Sequence, residues 1–131
     1  MNDFKITLQT LKDVLAVCRL EPNKGVPNWV RFDKNDFTSV TQTPDEFSIV
    51  CNQSLVPFDV KAEKNWRVIR IKGQLDFSLV GILKKVICPL SENKISIYTI
   101  STYDTDYILI KEDNFEKAMQ ILAKDFIIET L

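Results

Sequence analysis

The chain has 131 residues, with 17 Lys+Arg against 18 Asp+Glu and a net charge of -1. That length suits one domain or two small modules and excludes a large multidomain enzyme; the balanced charge, with no Lys/Arg-rich run, excludes the electrostatic footprint of a nucleic-acid binder. The absence of histidine removes the commonest general base at neutral pH, the His-based nucleophile triads and most mononuclear zinc sites. No enzyme, metal or cofactor is therefore expected. Cys18, Cys51 and Cys88 are odd in number and sit among apolar residues, so they read as small buried hydrophobes rather than a disulfide frame. The start, MNDFKITLQT, lacks the pattern of a signal peptide, and no apolar stretch nears about 18 residues. A cytoplasmic chain with no membrane partner is the expectation.

In chain order, Phe4, Ile6 and Leu8 alternate, and a denser run from Val14 to Leu20 follows Lys12-Asp13, which predicts two strands paired as a hairpin. Glu21 to Asn28 holds Pro22, Gly25 and Pro27 and reads as a loop, with Trp29 and Phe32 as its anchors. Phe37 to Thr41 is a short strand. Thr43-Pro44 combines a helix cap with a first-turn proline, predicting a very short helical turn before a strand at Phe47 to Cys51. The composition shifts between Asn52 and Asn65, and a module boundary is placed between residues 62 and 63.

Trp66 to Lys72 alternates as a strand and ends at Gly73. Leu79, Ile82, Leu83, Val86, Ile87 and Leu90 form the stripe of a core-facing helix opened by Asp76, with Gly81 inside it and packed closely. Pro89 predicts a bend or an end near Ile87. Ile95 to Ser101 and Tyr107 to Ile110 are strands joined by a turn at Thr102 to Thr105. A capping box of Asp113 and Glu116 opens a second helix, lined by Phe115, Ala118, Met119 and Leu122, and Phe126 to Ile128 is a terminal strand. From Trp66 the order is βαββαβ, a ferredoxin-like α+β arrangement with both helices on one face of an antiparallel sheet. Residues 1–62 hold strands of a looser copy.

Chemistry has few places to sit. Helix N-termini offer unpaired N–H groups and a positive dipole end, so the loop from Gly73 to Asp76 and the turn beyond it can hold an anion. Asp76 reads either as a cap or as a partner for an ammonium group. Asp106 precedes an apolar run, and a partly buried carboxylate needs partners, from the backbone or from a ligand. The glycine spacings fit neither the phosphate-loop nor the dinucleotide fingerprint.

The stretch Gly73-Gln-Leu-Asp-Phe-Ser-Leu-Val-Gly-Ile-Leu83, the run Ile95 to Ile110, and the segments Ala16 to Leu20, Pro27 to Trp29 and Thr43 to Cys51 resemble the short prokaryotic ACT-domain proteins related to the cytosolic arginine sensor of animals. The resemblance covers nearly the whole chain and implies two tandem ACT-like modules, residues 1–62 (degenerate) and 63–131. It implies a non-catalytic, regulatory protein that binds a small molecule, an amino acid, between ACT units, and a homodimer that brings their number to four. The ligand-binding positions it implies are Gly73, Asp76, Phe77, Ser78 and Gly81 on one side and Ser96, Ile97 and Asp106 on the other. No acidic residue stands between Phe77 and Gly81 to take a long cationic side chain. The alternative is a protein-interaction or oligomerisation module without a small-molecule ligand.

Overall fold

In the computed structural model, which describes residues 6–72 and 81–131, the chain starts with a single 14-residue strand, β1 (Thr7–Leu20), where the pattern predicts a hairpin. Lys12-Asp13 contains no turn-forming glycine, proline or asparagine. Lys12 is exposed and Asp13 Oδ2 accepts the Phe37 N–H at 3.4 Å, so both polar groups are accommodated in extended backbone. Among the described residues there follow β2 (Ser39–Gln42), β3 (Phe47–Asn52), a 3-10 turn (Gln53–Leu55), β4 (Ala62–Ile71), α1 (Ile82–Glu92), β5 (Ile97–Ser101), β6 (Asp106–Lys111), α2 (Glu112–Leu122) and β7 (Ile127–Thr130).

The residues group into two units, one holding the chain start through Lys12 together with Arg67–Leu131, the other Asp13–Trp66. Strands β1 and β4 cross this division. A boundary between residues 62 and 63 would give all of β1 to the N-terminal module; here its first half groups with the C-terminal residues.

The first unit is α+β with the order βαββαβ from β4 to β7. Its core joins Leu8, Ile69, Ile71, Ile108 and Ile110 of the strands to Val86 and Leu90 of α1 and Ala118 and Leu122 of α2, which puts both helices on one face. The first half of β1 lies between β4 and β7, and its pairing with β7 is parallel, with Gln9 opposite Glu129. This parallel ladder departs from the all-antiparallel expectation: a strand from the start of the chain occupies the place beside the opening strand of the βαββαβ run.

Both helices begin differently from the sequence reading. Gly81 is the N-cap of α1, at φ 85, not an interior residue, and among the described residues nothing lies within 4 Å of where its Cβ would stand. The left-handed backbone is what calls for glycine here. The helix also continues through Pro89 to Glu92. Asn93 Nδ2 donates to the Pro89 carbonyl at 2.7 Å, Lys94 N–H to Ser91 at 2.9 Å and Ile95 N–H to Leu90 at 3.0 Å, with Lys94 left-handed at φ 61. This closure holds the final turn together beyond the bond that proline cannot make. Helix α2 starts one residue before Asp113, directly off β6, with Lys111 at the cap and no side-chain capping bond. The Asp113–Glu116 box is thus replaced by Glu112 and Asp113 in the first turn, where they complement the helix dipole.

In the second unit, β2 and β3 pair antiparallel with Gln42 opposite Phe47. The predicted helical turn at Thr43-Pro44 is instead the hairpin turn: Thr43 N–H donates to the Glu46 carbonyl at 2.9 Å, and Thr43 Oγ1 accepts the N–H groups of Asp45 and Glu46 at 3.2 and 3.1 Å. The threonine satisfies the turn's own donors, so no helix is needed. The core is Ala16, Cys18, Phe47, Ile49, Cys51 and Val56, with Trp29 packed on it. Phe32 is 67% exposed, so of the two expected loop anchors only Trp29 serves. The Cys18 thiol is pushed up by its hydrogen bond with Cys51 and by burial, and the same bond lowers Cys51.

Candidate functional site

Strands β1, β4 and β7 and the β5–β6 turn supply the polar groups at the carboxyl end of β4. Successive side chains of a strand point to opposite faces; Ile69 and Ile71 enter the core at 0% exposure, so Arg70 and Lys72 stand on the other face. Arg70 Nε donates to Gln9 Oε1 at 2.8 Å, and Gln9 Nε2 donates to Glu129 Oε1 at 2.6 Å. Lys72 Nζ reaches Glu129 Oε2 at 3.2 Å. The Gln9 bond, and after it the Lys72 bond, hold the Glu129 carboxyl below the usual range.

The β5–β6 turn is anchored to the same strand end. Thr102 N–H donates to the Thr105 carbonyl at 2.8 Å, and Thr105 Oγ1, buried, donates to the Ile71 carbonyl at 2.7 Å. Gln9, Arg70, Ile71, Lys72, Asp104, Thr105 and Tyr107 line a cavity of about 360 Å³. Arg70 has no hydrogen-bond partner beyond Gln9, and Asp104 no ion pair, among the described residues. The cavity therefore presents the Arg70 cation of β4, with Lys72 just beyond it paired to Glu129, and a carboxylate from the turn, the complement of a small zwitterion.

Of the residues implied by the sequence, Gly73, Asp76, Phe77 and Ser78 lie outside the described residues, as does the capping role read for Asp76. They follow directly after Lys72, which lines the cavity. Gly81 is exposed at the start of α1. Ser96 is exposed just before β5, and Ile97 pairs with Ile110 and packs against the core. Asp106 opens β6 opposite Ser101, whose hydroxyl donates to Asp106 Oδ1; the carboxylate's partner is thus a side chain of the neighbouring strand. Ile97 and Ser101 are the two ends of β5, about 13 Å of strand apart, so one unit does not gather Ser96, Ile97 and Asp106 into one site. The sequence reading does not single out Gln9, Arg70, Lys72, Asp104 or Thr105. The signal that could have found them is the pair of cations at Arg70 and Lys72, two positions apart at the end of a strand and therefore on one face.

No group of three or more Cys, Asp or Glu side chains among the described residues could hold a metal ion, and no described helix is long and apolar enough to cross a membrane.

Comparison with known proteins gives this arrangement a family. A family model described as an ACT domain matches residues 61–124, and a model of an N-terminal domain matches residues 13–59. The human protein named cytosolic arginine sensor for mTORC1 subunit 1 is 30% identical over 101 residues, covering 69% of this chain and 31% of that protein; the chain thus spans about a third of that relative's length. A crystal structure of an Agobacterium tumefaciens protein is 34% identical, with a TM-score of 0.86, over 98% of this chain and 93% of the other. A structure of aspartokinase alpha and beta subunits shares the fold, with a TM-score of 0.63 at 16% identity over 93% of this chain and 98% of the other. The chain belongs to the ACT-domain family, whose model matches residues 61–124.

Proposed function

We propose that the protein is a non-catalytic regulatory module that binds a free amino acid at the carboxyl end of β4. The observation that carries this reading is the cavity of about 360 Å³ with opposite charges on its walls. Arg70 and Lys72 take the carboxylate, and Asp104 takes the ammonium. The remaining ligand-binding positions in this reading, Gly73, Asp76, Phe77, Ser78 and Gly81, are those the family resemblance implies. The ferredoxin-like ACT fold and the likeness to a protein named as an arginine sensor support a regulatory role. A second copy completes the site by bringing Ser96 and Ile97 of another unit toward it, in a cytoplasmic homodimer, while Asp106 stays bonded to Ser101 at the other end of β5.

The test is a thermal-shift and calorimetric panel of the amino acids against the wild type and Arg70→Gln. A ligand at 100 times its dissociation constant stabilises by about 2.7 kcal/mol. The expected result is one or a few amino acids that raise the melting point, with affinity at least tenfold weaker in Arg70→Gln. A flat panel would overturn the reading, as would an Arg70→Gln protein that binds as tightly as the wild type. The protein-interaction alternative rests on β5, which ends the strand order and pairs only with β6 among the described residues. Light scattering that shows a ligand-independent assembly together with a flat panel would favour it.

A further inference from the structure

A second cavity, of about 530 Å³, lies wholly within the unit Asp13–Trp66, where β1 ends and the loop after it begins. Its charges are unusually arranged. Arg19 N–H donates to the Lys61 carbonyl at 3.0 Å, which joins the two main-chain segments, and Arg19, Lys61 and Lys24 of the loop line the same cavity. Glu21 answers only Arg19, at 3.2 Å, and the Arg19 guanidinium is further tied to the Asp45 carbonyl at 3.1 Å. Lys24, Lys61 and the cavity's other carboxylate, Asp59, have no ion pair among the described residues. Leu20, Pro27 and Val60 supply an apolar wall, and the loop is shaped by left-handed Asn23 and Gly25, at φ 68 and φ 77.

We propose that this cavity is a second ligand site, for a small dicarboxylate that carries an amine. Its two carboxylates pair with Lys24 and Lys61, while its ammonium pairs with Asp59. Charges of opposite sign then meet two unpaired lysines and one unpaired carboxylate, and the apolar wall receives the short carbon chain. The site is independent of the one beside Arg70, which lies in the other unit.

L-glutamate and glutarate, which differ by the amine alone, are titrated calorimetrically into the full chain, into Lys24→Gln, Lys61→Gln and Asp59→Asn, and into Arg70→Gln. Both lysines are exposed, so their replacement leaves the fold intact. Expected is saturable glutamate binding that weakens at least tenfold in each lysine variant and is unchanged in Arg70→Gln. Glutarate is expected to bind the wild type at least tenfold more weakly than glutamate, and Asp59→Asn to erase that preference. Three results overturn the proposal: no saturable binding of glutamate, glutamate binding unaffected by both lysine variants, or glutamate binding lost only in Arg70→Gln. The last of these would assign glutamate to the cavity beside Arg70 and leave the amino-acid reading of that cavity standing.

Discussion

Thr105 donates its hydroxyl to the main-chain carbonyl of Ile71 at 2.7 Å, and through this bond the β5–β6 turn is fastened to the last residue of β4. Thr105 is 8% exposed and Ile71 fully buried, so the bond is shielded from water. Thr105→Val is expected to destabilise the chain by about 1–3 kcal/mol, because the Ile71 carbonyl loses a partner in a buried setting. Thr105→Ser should restore most of that loss. Urea unfolding of the three proteins decides it; a valine variant as stable as the wild type would mean that the turn is held by something else.

Gly81 and its surroundings give a second prediction. With φ 85 and no described residue within 4 Å of where a Cβ would stand, Gly81→Ala should cost about 1 kcal/mol through the backbone. Gly81→Asn should cost less, since asparagine tolerates the left-handed region better. If alanine and asparagine destabilise equally in thermal unfolding, crowding rather than backbone geometry governs the position.

Lys94 is the reverse case. It holds φ 61 at the end of α1, the position glycine favours in this closure. Lys94→Gly is expected to stabilise by about 0.5–1 kcal/mol and to raise the melting temperature by a few degrees. A lowered melting temperature would contradict the strain assigned here.

Glu129 sets an acid limit. Its carboxyl is held below a glutamate's ordinary 4.5 by Gln9 and then Lys72. A group depressed in the folded state binds its proton more readily in the unfolded chain. Its stabilising effect is therefore complete above about pH 4.5 and is lost as the pH falls through its lower folded value. Stability measured from pH 6 down to pH 2 should fall less steeply over this window in Glu129→Gln than in the wild type. Parallel curves would show that the network with Gln9 and Lys72 does not depend on the carboxylate's charge.

The three cysteines should separate by reactivity. Cys18 and Cys51 are buried and Cys88 is half-buried, and reaction requires an accessible thiolate. A disulfide reagent at mild alkaline pH is expected to modify Cys88 first, with Cys18 and Cys51 following only after denaturation. Rapid modification of all three in the native protein would show that the Asp13–Trp66 unit opens readily.

Much of the C-terminal half is legible in the residue pattern. The alternation from Trp66, the helical stripe through Leu90 and the strands around Thr102–Thr105 place β4, α1, β5 and β6, because each pattern reports burial of a face local to its own element, although β4 begins four residues earlier, at Ala62, and α1 begins only at Ile82 and runs on to Glu92. The errors fall where a local signal has two physical solutions. Thr43-Pro44 can open a helix or close a hairpin, and Gly81 can sit in a helix or cap it. In each case the hydrogen-bond partners or the sign of φ decide, and neither is written in a pattern of apolar residues.

The residue order by itself determined the βαββαβ run, the faces of its strands and helices, and the exclusion of histidine chemistry, since these follow from side-chain type and period. Only the tertiary structure decided that β1 is one strand passing through both units, and that Gln9, near the start of the chain, joins Arg70 to Glu129, near its end. Alternation says which side chains share a face of a strand. It does not say which strand lies alongside, because the ladder that joins neighbouring strands is made by main-chain groups that every residue carries.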